Sequence, residues 1–126
     1  MNILGIGMDI VETKRIAESI ERFGDRFLQR IFLEGEVAYA QSMKFPHLHL
    51  AARFAAKEAI SKAFGTGIGH DLGWRDLEIV RESNGAPCVK LHGRAEAYAK
   101  KRGVSAVHVS LSHTTEYGAA SAVIVG

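Results

Sequence analysis

Cysteine is almost absent from this chain: Cys88 stands alone, so no disulfide can close within it and a reducing compartment is expected. Proline is nearly as scarce, with only Pro46 and Pro87. No apolar run reaches the length of a membrane span, and no basic segment leads into an apolar one as in a secretory leader. Membrane and secreted classes are set aside, and a cytoplasmic location is expected. Excess charge is also lacking, since 16 Lys+Arg against 14 Asp+Glu leave +2. That is too little to indicate a nucleic-acid partner, so any basic surface must be local.

Three familiar catalytic or phosphate-binding frames are missing as well. Gly5-x-Gly7 begins a dinucleotide fingerprint, but Ile10 occupies the place of its third glycine. The glycine loop at 65–69 follows a predicted helix instead of preceding one, and it lacks the Gly-Lys-Ser/Thr of a P-loop. Ser110-Leu111-Ser112-His113 is not set in a G-x-S-x-G nucleophile elbow.

What is present fits one domain over residues 1–126, a size at which association between subunits would help stability. The organising stretch is 53–63. Ala51, Phe54, Ala55 and Ala59 recur at helical spacing, and Glu58 stands on or beside that apolar face with Lys62 one turn later. An ordinary solvated i, i+4 pair is one reading of Glu58 and Lys62. The other is a carboxylate held at the edge of the core to bind a metal, with Arg53, Lys57 and Lys62 near it to receive phosphate oxygens.

Asp9 bears on that choice. Residues 2–11 read as a largely buried strand, and an ionised carboxylate there must be paired, protonated, used as a helix cap, or bound to a cation. A divalent cation shared with Glu58 accounts for both acids at once.

The rest of the chain predicts helices at 12–30 with a break at Gly24, at 32–43 with Val37, Ala38 and Tyr39 turned inward, at 48–64, and at 94–102. Strands are expected at 76–82 and 88–92, forming a hairpin, and at 104–112 and 117–125, forming a second. His47 and His49, two apart, are a poor metal pair. Arg15, Arg22, Arg26 and Arg30 form a basic ridge opposite the apolar stripe of the first helix, suited to an acidic helical partner. His113, with Ser110, Ser112 and Thr114 around it, is either an exposed loop histidine or part of a hydroxyl-rich cradle for a base or phosphate. The fold class expected is a single α+β domain with helices packed on a small antiparallel sheet.

These segments together resemble the bacterial AcpS-type members of the 4'-phosphopantetheinyl transferase superfamily. The matching parts, in family order, are Gly5-Ile6-Gly7-Met8-Asp9-Ile10 with Arg15, Arg53-Phe54-Ala55-Ala56-Lys57-Glu58-Ala59 with Lys62, Gly85-Ala86-Pro87, and Ser110-Leu111-Ser112-His113. The resemblance implies transfer of 4'-phosphopantetheine from coenzyme A to a serine of apo acyl carrier protein, with release of 3',5'-ADP. It implies Mg2+ on Asp9 and Glu58, and coenzyme A contacts from Lys62, Pro87, Ser112 and His113, extended to Arg53 and Thr114. It also implies carrier docking at Arg15, extended along the ridge to Arg22 and Arg26, and a homotrimer whose active sites are shared between neighbouring subunits.

Attack of a hydroxyl on a pyrophosphate needs charge neutralisation and in-line positioning more than covalent help. Lys62 is suited to the charge building on the leaving phosphate. The base that takes the serine proton is open among Glu58, Glu36 and a metal-bound water. Two other functions use the same features. A Mg2+-dependent nucleotide pyrophosphohydrolase would use water as nucleophile, and a non-catalytic basic docking module would need only the arginine ridge.

Overall fold

The central helix of the computed structural model, which describes residues 1–126, is buried nearly all the way round. This helix, α4 (Pro46–Phe64), follows β1 (Ile3–Glu12), α1 (Thr13–Phe23), α2 (Asp25–Ile31) and α3 (Glu34–Gln41). After it come a 3-10 turn (Trp74–Asp76), β2 (Leu77–Arg81), β3 (Pro87–Leu91), α5 (Gly93–Lys101), β4 (Ala106–His113) and β5 (Tyr117–Val125). All strand pairing is antiparallel, in a three-stranded sheet of order β1-β5-β4 and a separate β2-β3 hairpin. The chain is therefore the expected α+β structure. No helix is long and apolar enough to cross a membrane.

Small residues explain how α4 meets the large sheet. Ala51, Ala55, Ala59 and Ala63, spaced one turn apart, are buried where β1 and β5 cross the helix. The strands answer with glycines. A Cβ at Gly7 would collide with the Ala59 carbonyl oxygen, one at Gly5 with that of Ala63, and one at Gly118 with the backbone of Ala51 and Ala52. Backbone rests on backbone, with no side chain between, and glycine is the residue that permits so close an approach.

Four expectations are corrected. Arg53 and Lys57, expected beside Glu58 as cations to receive phosphate oxygens, are instead buried, at 4% and 0% exposure. The strand β1 is buried on one face only, since Ile6, Met8 and Ile10 are each more than 60% exposed on the other. Pro46 opens α4 instead of preceding it, because a proline at the first helical position gives up no helical hydrogen bond. In α3 the buried residues are Glu36 and Ala40, while Ala38 faces out.

The break at Gly24 is present, with φ of +57° and its N–H donating to the Ile20 carbonyl. It divides the arginine ridge: Arg15 and Arg22 lie on α1, Arg26 and Arg30 on α2, all exposed.

Candidate active site

Alternation along β1 decides the side on which Asp9 lies. Gly5, Gly7, Asp9 and Val11 share the face pressed on α4, and Ala120 is the β5 partner of Asp9. The glycine contacts bring this strand so near the helix that Asp9 meets the last two turns of α4. There the Lys62 ammonium donates to Asp9 Oδ1 at 3.0 Å and to the Met8 carbonyl at 3.0 Å. Lys62 makes no ion pair with Glu58, so the simple i, i+4 pairing along the helix is not what forms. Burial, and next the charge of Asp9, push the Glu58 carboxyl above its ordinary range, with Lys62 partly offsetting both. Asp9, Glu58 and Lys62 thus form one cluster, built from β1 and α4.

Two neighbouring carboxylates that raise each other's energy form a site that a cation relieves. No third histidine, cysteine or acid completes a larger ligand group. A pair of carboxylates with no further protein ligand suits Mg2+, which usually keeps several of its waters.

A second cluster lies toward the other end of α4. The Arg53 guanidinium stacks 4.4 Å from the Tyr39 ring centre, and that of Arg81 stands 4.8 Å from it. His49 contacts both Tyr39 and His113, with ring centres 5.8 and 4.8 Å apart. Burial holds His49 below its ordinary range, reinforced by His113, Arg53 and Arg81 in that order, so its ring is neutral at pH 7. Arg53 Nε is buried without a hydrogen-bond partner. Pro87 opens β3 opposite Arg81, which brings the predicted proline to this edge.

Thr114 closes the β4–β5 turn, its Oγ1 accepting from the Glu116 and Tyr117 N–H groups at 3.2 and 3.0 Å. Ser112 is the Ala119 partner on the outer sheet face, in one row with Ile10. His113, one residue on, turns inward to His49. The Ser-His run is therefore not a single cradle within one chain.

The sequence passed over three members of this second cluster. In the sequence Tyr39 reads as core, His49 as half of a poor metal pair, and Arg81 carries no signal. The i, i+4 spacing of His49 and Arg53 was the available clue. Arg53 and Glu58 are five residues apart, about 7.5 Å of rise and roughly 140° of rotation. Hence the two clusters face different ways on the same helix.

Glu36 is corrected from candidate base to buried strut. Its side chain has no exposure, and its Oε1 accepts from Lys57 Nζ at 2.7 Å and from the Leu33 N–H at 2.8 Å, while Oε2 accepts from the Ile79 N–H at 2.9 Å. Lys57 also donates to the carbonyls of Ile31 and Trp74, at 2.8 and 3.0 Å. Burial lowers the Lys57 pKa and Glu36 opposes the shift. The Glu36–Lys57 pair ties α2, α3, β2 and the 3-10 turn to α4, and the carboxylate has no route to a substrate proton. Glu36→Gln leaves the Lys57 charge buried without its counterion and is expected to cost about 3–5 kcal/mol, read by urea unfolding.

The family model of the 4'-phosphopantetheinyl transferase superfamily matches residues 5–121. Among curated proteins the chain is 49% identical over 122 residues to the holo-acyl-carrier-protein synthase of Koribacter versatilis, covering 97% of this chain and 98% of that one. It is 44% identical to the synthase of Serratia proteamaculans over the full length of both. Among solved structures it is similar to the synthase of Neisseria meningitidis, with a TM-score of 0.92, 34% identity, and coverage of 99% of this chain and 100% of that one.

A synthase of Helicobacter pylori crystallised with coenzyme A has a TM-score of 0.85 and 30% identity, over 95% of this chain and 99% of that one.

Proposed function

The chain belongs to the 4'-phosphopantetheinyl transferase superfamily, and from that membership we propose that it moves the 4'-phosphopantetheine group of coenzyme A to a serine of apo acyl carrier protein, releasing 3',5'-ADP and requiring Mg2+. The observation that carries this reading is the meeting of Asp9, Glu58 and Lys62 across β1 and α4. Asp9 and Glu58 hold the cation, which when bound supplies neutralising charge to the pyrophosphate. Lys62, fixed by the Met8 carbonyl, is placed to follow charge onto the departing phosphate as Asp9 turns to its ligand role. With Glu36 enclosed, Glu58 and a metal-bound water are the remaining candidates for the serine proton.

The second cluster supports a nucleotide seat shared between subunits. Arg53, Arg81 and His113 gather cationic and aromatic groups fit for phosphate and adenine, yet they face away from Glu58 in the same chain. A neighbouring copy brings its own cluster to this site. The outer face of β1 supports that assembly, since Ile6, Met8 and Ile10 present an exposed apolar band. A homotrimer is the closed arrangement proposed, in a cytoplasmic enzyme serving fatty acid biosynthesis.

The test is intact-mass measurement of an apo acyl carrier protein incubated with this chain, coenzyme A and Mg2+, with EDTA as control. One added phosphopantetheine, only with metal, is expected. Cleavage of coenzyme A with no change in the carrier would favour the pyrophosphohydrolase.

Arg15, Arg22 and Arg26 remain the proposed carrier dock, exposed on α1 and α2. Arg15→Glu is expected to raise KM for the carrier about tenfold while leaving that for coenzyme A nearly unchanged, because rim charges act on encounter with the charged partner. Steady-state kinetics with each substrate varied in turn checks it, and equal damage to both would contradict the assignment.

A further inference from the structure

An open cavity of about 710 Å3 lies against Glu58, and none of the contacts assigned so far uses it. Ile68 and the Trp74 ring provide its apolar lining, and Arg30, Arg75 and Arg94 its cations. Two of the guanidiniums are fixed by backbone carbonyls: Arg75 donates to Gln29 O at 2.8 Å and Arg94 to His70 O at 2.9 Å. Carbonyl tethers orient a guanidinium without cancelling its charge. Arg30 has no ion-pair partner, and Asp76, 3.5 Å from Arg94, is already an acceptor for the Gly73 N–H. Three positive groups thus face two carboxylates, Glu58 and Asp76, and a cation at the Asp9–Glu58 cluster would tip the balance further.

We propose that this cavity seats an acidic side chain of the protein acceptor beside its reacting serine, with Arg30, Arg75 and Arg94 as specificity-determining residues. The proposal rests on the transferase reading and adds a contact to it. Direction is the first argument. Asp9 and Lys62 do not line the cavity, which opens on another side of Glu58. In-line displacement brings the attacking hydroxyl from the side opposite the leaving phosphate, so with the donor's leaving phosphate drawn to Lys62 the acceptor serine enters through this opening.

Continuity is the second. Arg26 and Arg30 are one turn apart on α2 and border a shallow depression with Phe23 and Phe27, and Arg30 also lines the cavity, so the cationic edge of α2 leads from Arg26 of the proposed dock to the cavity. An acidic partner lying along that surface would present its next carboxylate here.

Trp74, the only tryptophan, reports directly on occupancy. The experiment titrates the full chain with apo acyl carrier protein, and separately with coenzyme A, following Trp74 emission and in parallel the mass of the carrier. Carrier is expected to change the emission, and Arg75→Gln and Arg94→Gln should each weaken its Kd about fivefold or more while moving the Kd of coenzyme A less than about twofold. Arg75→Lys, which keeps the charge, should recover most of the loss, and thermal unfolding of each variant verifies that it is folded.

A Trp74 response to coenzyme A that weakens in the same variants would overturn the proposal and give the cavity to the nucleotide substrate. A carrier Kd indifferent to both substitutions, or no carrier binding at all, would overturn it too. Failure of the transferase reading looks different: the carrier binds and perturbs Trp74, yet its mass never changes.

Discussion

Glu58→Gln is expected to lower carrier modification by a factor on the order of 10² to 10³, comparable to loss of one preorganised electrostatic group in an active site. Asp9→Asn should do nearly as much. The distinctive part of this prediction is that neither loss comes from unfolding. Glu58 is held in an unfavourable state by its burial and by Asp9, so a neutral amide there relieves repulsion, and stability measured in EDTA should stay level or rise. Asp9→Asn gives up an ion pair with Lys62 whose lysine end is 52% exposed, a loss of at most about 1 kcal/mol.

Turnover and urea unfolding on the same samples, with and without Mg2+, decide the matter. A fully active Asp9→Asn would sink the metal site, and an inactive but badly destabilised Glu58→Gln would make its carboxylate structural instead.

Gly7→Ala is expected to cost about 3 kcal/mol or more, at the upper end of overpacking penalties, because backbone and not a flexible side chain must move. The new Cβ would meet the Ala59 carbonyl, part of the α4 hydrogen-bond ladder, and the Ala63 amide nitrogen. Relief requires β1 to lift from α4, which carries Asp9 away from Glu58 and Lys62. Stability and activity should therefore fall together, unlike the carboxylate variants. Gly69→Ala is the control: nothing stands within 4 Å of a Cβ there, and its stability should change by less than about 0.5 kcal/mol. A Gly7→Ala protein as stable as its parent would refute the backbone-on-backbone account.

The two glycines illustrate how a sequence can be read correctly and still incompletely. Alternating Gly5 and Gly7 in an apolar strand indicated close approach to other backbone, and the alanines of α4 indicated a tight face. That these two features answer each other depends on which elements meet, and strand β1 pairs with β5, the most distant strand in the chain. Local periodicity carries no information about such a pairing. The charges of α4 show the same limit from the other side. Arg53, Lys57, Glu58 and Lys62 look alike in a helical pattern, but one is stacked on Tyr39, one is sealed against Glu36, one is half-buried beside Asp9, and one has swung across to β1.

By itself the sequence determined the helix and strand order, the break at Gly24, the α+β class and, through four short segments in family order, the family and the pairing of Asp9 with Glu58. Those properties reside in local spacing and residue type, which a linear chain displays directly. Tertiary structure alone decided that Lys62 turns to Asp9, that Glu36 is a strut, that Tyr39, His49 and Arg81 join Arg53 and His113, and that Arg30, Arg75 and Arg94 surround one cavity. The physical reason is common to all four: the energy of a charged side chain depends on burial and on partners brought in from distant segments, and neither exists until the backbone of β1 lies on α4.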